Sequence, residues 1–184
     1  MKRLLFLFFN LVMFFSCKSF DLENKNVIFS MIYDYDNSPV SQAKFYLDDK
    51  YIGESDINGR FVFTVFDSGK HFLRLEKDGY EVISDTFAYE PMLVLYYKTG
   101  SKEQFFACAE KLLDEGKISE ALLYIDRALS IDSDYSEALF FKAICFYKQN
   151  NFKSADEILS KIKLDNNRAL YVQKFKEKCY EDQK

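Results

Sequence analysis

From Val27 to Tyr97 the apolar residues alternate with polar ones or form short runs divided by turn-forming residues. The segments VIFSMIY, AKFYL, GRFVFTVF, KHFLRLE, YEVISDTF and MLVLYY are rich in branched and aromatic side chains and predict strands. Asp36-Asn37-Ser38-Pro39, Asp56-Ile57-Asn58-Gly59, Asp67-Ser68-Gly69 and Lys77-Asp78-Gly79 predict the connections between them. Within one strand, Phe61, Phe63 and Val65 point one way while Val62, Thr64 and Phe66 point the other. Six or seven short strands at this spacing predict a small antiparallel β-sandwich over residues 25–97. Lys98-Thr99-Gly100-Ser101 reads as a linker, and beyond it the alternation gives way to helical spacing. Helices are expected near 102–115, 118–130, 135–149 and 152–162, with a fifth near 167–180.

The helical half repeats itself. Ala109 and Ala143, Gly116 and Asn150, and Ala121 and Ala155 are each 34 residues apart, and Ala128 is matched by Ile162. Small residues at these sites let paired helices approach, and Gly or Asn suits the tight turn between them. The fold class is therefore α+β in two domains, an N-terminal β-sandwich followed by all-α helical hairpins. Ala169, Val172, Phe175 and Cys179 give the fifth helix an apolar side suited to cap the stack over 167–184. Two repeats fall short of the three that a stable array usually needs, so the helical unit is expected to lean on its sandwich, on a second copy or on a partner.

Two resemblances follow from these residues. Asn37-Ser38-Pro39-Val40, Ala43, Gly53, Asp56, Asn58-Gly59-Arg60-Phe61, Gly69-Lys70-His71 and Gly79-Tyr80 stand in the order of the carboxypeptidase regulatory-like domain, a transthyretin-like sandwich, which residues 25–97 resemble. Members of that family commonly serve as accessory or spacer domains, and this implies a structural role here. Residues 102–166, with EGKISEALLYIDRALSID at their centre, resemble two tetratricopeptide repeats. Phe105 and Leu139 hold the place of that family's Trp, and Ser133 the place of a Pro. The implied repeat-packing residues are Ala109, Ala121, Ala128, Ala143 and Ala155.

The N-terminus carries a different pattern. Lys2 and Arg3 precede Leu4 to Phe15, a twelve-residue apolar run broken by Asn10, and Ser16 precedes Cys17. Spanning a bilayer takes about 20 apolar residues, so the run suits a signal segment over 1–16 better than a permanent transmembrane helix. Phe14-Phe15-Ser16-Cys17 resembles the lipobox of bacterial lipoproteins in the relaxed form found among spirochaetes. That resemblance implies lipidation of Cys17, with 17–24 as a tether to the membrane and a location in the cell envelope, periplasmic or surface-exposed.

Composition narrows the functional classes. The formal charge is −4, or −6 once Lys2 and Arg3 are removed, so nucleic acid is not an expected partner. Cys108, Cys145 and Cys179 have no CxxC spacing and read as buried free thiols, and no metal or cofactor site is expected. His71, the one histidine, lies in a strand with no nucleophile motif beside it, so no catalytic residue is assigned. Asp56, Asn58 and Gly59 lack the downstream Glu of a calcium loop and read as a turn.

What remains is a groove. Spacing and the repeat resemblance place Phe106, Glu110 and Leu113 of one repeat and Phe140, Ile144 and Tyr147 of the next on the concave side, where a helix or extended segment of another protein could dock. The same residues could instead pack on the sandwich or the capping helix. The leading expectation is a non-enzymatic, membrane-anchored scaffold or adaptor. An accessory subunit of an envelope hydrolase, a surface adhesion lipoprotein and a homo-oligomer stay open as alternatives.

Overall fold

The computed structural model describes residues 26–163 and 169–183. Cys17 and the segments 1–16 and 17–24 lie outside the described residues, as do 164–168. The strands are β1 (Asn26–Tyr33), β2 (Lys44–Leu47), β3 (Lys50–Glu54), β4 (Arg60–Val65), β5 (Lys70–Glu76), β6 (Ile83–Ala88) and β7 (Val94–Lys98). They form a three-stranded sheet ordered β4-β1-β7 and a four-stranded sheet ordered β3-β2-β5-β6. Pairing is antiparallel except between β1 and β7, which run parallel with Phe29 opposite Val94. The chain leaves the four-stranded sheet after β6, and β7 joins the edge of β1 not paired with β4, a long-range pairing that alternation does not encode.

Alternation puts Ile28 and Ile32 of β1, Phe45 of β2, Val65 of β4, and Leu73 and Leu75 of β5 between the two sheets, all essentially inaccessible. Aromatic rings fill the remaining volume, Phe45 on Phe61 at 4.6 Å and Phe63 on Phe87 at 6.1 Å between centroids. The turns close through short polar side chains. Asp34 Oδ1 accepts from the amides of Asp36 and Ser38, and Asp56 Oδ1 from those of Asn58 and Arg60, at 2.8–2.9 Å. Gly59 sits at φ +70°, and a Cβ there would lie 2.4 Å from the Ile32 carbonyl oxygen, so this position needs glycine on both counts.

Five helices follow: α1 (Lys102–Asp114), α2 (Ile118–Ile131), α3 (Ser136–Lys148), α4 (Phe152–Leu159) and α5 (Ala169–Glu181). α1 begins with a capping box, in which Ser101 Oγ accepts from the Gln104 amide and Gln104 Oε1 accepts from the Ser101 amide. The turns after α1 and α3 place Gly116 and Asn150 at positive φ, 76° and 59°. α4 ends three residues before the expected 162, where the Ser160 hydroxyl donates back to the Asp156 carbonyl. Ala109, Ala121, Ala128, Ala143 and Ala155 are fully buried between helices. α5 lays Val172, Phe175 and Cys179 against Leu139, Ala143 and Leu159 and so closes the far end of the stack.

The near end is closed by the sandwich. Residues 98–101, read from sequence as a linker, are a tight joint in which Thr99 and Gly100 are buried. The Thr99 amide donates to the Tyr33 carbonyl, its hydroxyl donates to the Glu81 carbonyl at 2.8 Å, and the Glu81 amide donates to the Gly100 carbonyl. Tyr35, in the loop after β1, meets Phe105 of α1 edge to face at 5.1 Å and Tyr124 of α2 at 5.9 Å. Arg127 of α2 crosses the boundary. It pairs bidentately with Glu81 at 2.9 and 2.6 Å, donates to the Tyr35 hydroxyl, and lies 4.1 Å over the Phe105 ring. Glu81, which accepts its hydrogen bonds, holds the guanidinium well above its already high pKa.

Candidate partner-binding surface

Helical packing divides the six groove residues between two clusters. Phe106 of α1 stacks edge to face on Phe141 of α3 at 4.8 Å and on Tyr135 at 5.6 Å, and Leu113 packs half-buried in the same core. Phe140 and Tyr147 of α3 turn instead toward α5, each against Phe175, at 5.7 and 5.2 Å. The Tyr147 hydroxyl also reaches the Asp182 carboxylate, which raises its pKa, and Lys178 stands 5.3 Å over its ring. Ile144 is half-buried and Glu110 is exposed. The rings of Phe106, Phe140 and Tyr147 are thus engaged by neighbours within the chain.

What the helices leave open is a smaller apolar depression. Between α3 and α5 lies a cavity of about 200 Å³. Phe140, Phe141, Ile162 and Val172 line it, Tyr171 stands at its mouth, and Ser136 and Glu137 supply its polar margin. Tyr171 is largely exposed at 70%, and the neighbouring Leu170, outside the lining, is 56% exposed. The sequence did not single out Ile162, Tyr171 or Val172 as lining residues. The signal was present in the Leu170-Tyr171-Val172 run, but only the angle of α5 shows which of the three face solvent.

The titratable groups do not gather at this surface. His71 is nearly buried in the sandwich, where its Nδ1 donates to Asp48 Oδ2 at 2.9 Å and its Nε2 lies 3.4 Å from the Asp67 carbonyl. The Asp48 hydrogen bond raises the imidazole pKa, and the same bond lowers that of Asp48. Asp48 Oδ1 also accepts from the Phe72 amide, so the pair ties the β2–β3 turn to β5. Cys145 and Cys179 are buried free thiols, with Cys145 pushed up to about 11 by burial, whereas Cys108 is only half-buried, a correction to the expectation for all three. Among the described residues no cluster of three His, Cys, Asp or Glu is placed to hold a metal, and no helix is long and apolar enough to cross a membrane.

Comparison with known proteins bears on the helical half. A tetratricopeptide repeat family model matches residues 112–179, from the end of α1 into α5. Such repeats are typically non-catalytic modules that bind other proteins or peptides. No curated protein matches the chain at a significant level. Among solved structures, BcpA, the major pilin subunit of Bacillus cereus, is similar at 13% identity over 41% of this chain and 29% of its own, with a TM-score of 0.36. The Bacillus anthracis TIE protein is similar at 13% identity over 42% of this chain and 16% of its own, with a TM-score of 0.34. The chain thus spans under a third of the length of either.

Proposed function

We propose that this chain is a non-catalytic adaptor of the cell envelope, tied to a membrane by lipid on Cys17 and presenting its tetratricopeptide hairpins to another protein. The observation that carries the binding role is the apolar cavity between α3 and α5 with the exposed Tyr171 at its mouth and exposed Leu170 next to it in sequence, in a region matched by the repeat family model. An amphipathic segment placing one or two apolar side chains in a cavity of about 200 Å³ fits this surface. The sandwich then serves as a spacer that also completes the short helical stack. The anchoring role rests on the Ser16-Cys17 pattern after an apolar run, and it supplies no chemistry beyond attachment.

Crosslinking in intact cells followed by mass spectrometry tests the adaptor role, comparing the native chain with Tyr171→Asp and Leu170→Asp. Both side chains are exposed, so the fold survives and a captured partner is lost. Capture unchanged in both variants overturns this surface as the docking site. Intact-mass measurement and fractionation of the native chain and Cys17→Ala test the anchor separately. A Cys17→Ala chain that keeps the native mature mass and stays with membranes overturns it.

A further inference from the structure

The sandwich has two outer faces, and they differ in chemistry. Outside the four-stranded sheet lie Lys44, Arg74 and Glu76, with Arg74 paired to Glu76 and stacked 4.3 Å over Tyr46. Exposed Tyr51 and Phe72 lie on this sheet too, but interleaved with these charges of both signs. Outside the three-stranded sheet, Phe29 of the central strand stands between its register partners Val62 and Val94, and all three are more than half exposed. Tyr96 extends the patch at 60% exposure and stacks on Tyr33 at 5.6 Å. Phe66 and Met92, the most exposed large apolar residues of the chain's described part at 85% and 93%, lie just past the end of β4 and just before the start of β7. Three strands about 4.8 Å apart and five residues rising about 3.3 Å each give this face on the order of 250 Å². An area of that order lies within the range monomers expose, so size alone assigns the face no role, and its charge and position decide.

Two observations choose the occupant. The first is charge. β1, β4 and β7 contain no Asp or Glu, and the charged residues on their outer face are Arg60 and Lys98, in a chain whose formal charge is −4. The strands of this face carry apolar and aromatic side chains with cations only, complementary to lipid tails and phosphate headgroups, while acids near them in sequence, Asp67 and Glu90 among them, lie beyond the strand ends. The second is position. The chain enters this same sheet at Asn26, opposite Val65 at the end of β4 with Phe66 next in sequence, and β7 starts opposite Phe29, two residues after Met92. Eight residues separate Cys17 from Asn26, and the nine steps of backbone between them reach at most about 30 Å.

We propose that the outer face of the β4-β1-β7 sheet rests on the lipid surface to which Cys17 ties the chain. Phe29, Val62 and Val94 lie toward the acyl boundary, Tyr33 and Tyr96 sit at headgroup level, and Arg60 and Lys98 meet lipid phosphates. The inference rests on the anchoring reading above, and its test is arranged so that the two fail separately.

The chain contains no tryptophan, so a single introduced one reports alone. Phe29→Trp and Tyr96→Trp place it on the face, and Tyr51→Trp places it on the other sheet at similar exposure. Residues 17–184, held through an N-terminal histidine tag on phosphatidylcholine–phosphatidylglycerol vesicles with nickel-chelating lipid, supply the tether whether or not Cys17 is acylated in cells. The emission at positions 29 and 96 shifts to the blue and is quenched by brominated lipid, while that at 51 stays red and is quenched by acrylamide. Equal acrylamide quenching at all three positions, without bromolipid quenching, overturns the proposal. Protection at 29 and 96 accompanied by a doubled mass in solution and no bromolipid quenching assigns the face to a second copy and also overturns it. An unlipidated Cys17 in the native chain would defeat the anchoring reading while leaving these readouts interpretable.

Discussion

Replacing Arg127 by Met keeps the aliphatic stem and removes the charged pair with Glu81 across the joint between sandwich and helices, leaving the Gln104–Asp36 hydrogen bond in place. The guanidinium makes a bidentate pair with Glu81, and hydrogen bonds to a charged group contribute about 1.5–3 kcal/mol net. Its approach to the Phe105 ring at 4.1 Å adds about 0.5–1 kcal/mol. Breaking a fully buried pair costs about 3–5 kcal/mol, but here the side chains are 30% and 24% exposed, and water screens part of that loss. The Arg127→Met variant should therefore lose about 2–3 kcal/mol, with a coupling to Glu81→Gln of about 1–2 kcal/mol in a double-mutant cycle. Urea unfolding followed in parallel by helical circular dichroism and tyrosine emission measures both. The native chain should show one coincident transition, because the joint buries each part's end against the other. The helical signal of the variant should melt first. A coupling below about 0.5 kcal/mol, or unchanged coincident transitions, would refute the idea that this arginine joins the two parts.

Other outcomes follow from single features. Gly100→Ala would set a Cβ 2.8 Å from the Phe105 ring and 3.0 Å from that of Tyr35, and should cost about 1–3 kcal/mol by the same unfolding assay. Ala143→Leu, at a fully buried helix crossing, should cost a similar about 1–3 kcal/mol and loosen α5, seen as faster proteolysis after residue 163. The raised imidazole pKa of His71 stabilises the folded chain fully below the ordinary value of 6.5, and that stabilisation is lost as pH rises through the raised value; His71→Gln should abolish this slope in a pH series of urea midpoints. Brief alkylation of the native protein should modify Cys108 well before Cys145, with peptide mass spectrometry as the readout.

The strands and helices were legible because burial in each has one period. Phe63, Val65, Leu73 and Leu75 alternate inward, and the 34-residue recurrence of alanines sets the helix crossings. The joint was not legible. Thr-Gly-Ser is ordinary loop composition, and nothing local shows that Tyr35 will be packed by a helix whose Arg127 lies 92 residues further on. Nor does local pattern fix the parallel pairing of β7, which depends on which sheet edge is free when that strand arrives. The candidate groove was half legible. Spacing put Phe140 and Tyr147 on one side of α3, but Phe175, set among Lys and Glu in KFKEK, gave little sign that it would be their partner.

The joint has a consequence for how such a chain can vary in length. Loops between domains commonly accept insertions, because slack in one place disturbs nothing else. Here β7 passes into α1 through residues tied by the Thr99 amide to β1, by the Thr99 hydroxyl and the Gly100 carbonyl to Glu81, and by Ser101 to the cap of α1. One extra residue after Lys98 would advance the start of α1 and turn its side chains by about 100°. Phe105 would swing away from Tyr35, and every later hairpin would rotate with it. Substitutions can be absorbed along much of this sequence, but a change of one residue in the count between Lys98 and Ser101 would re-aim the whole helical array.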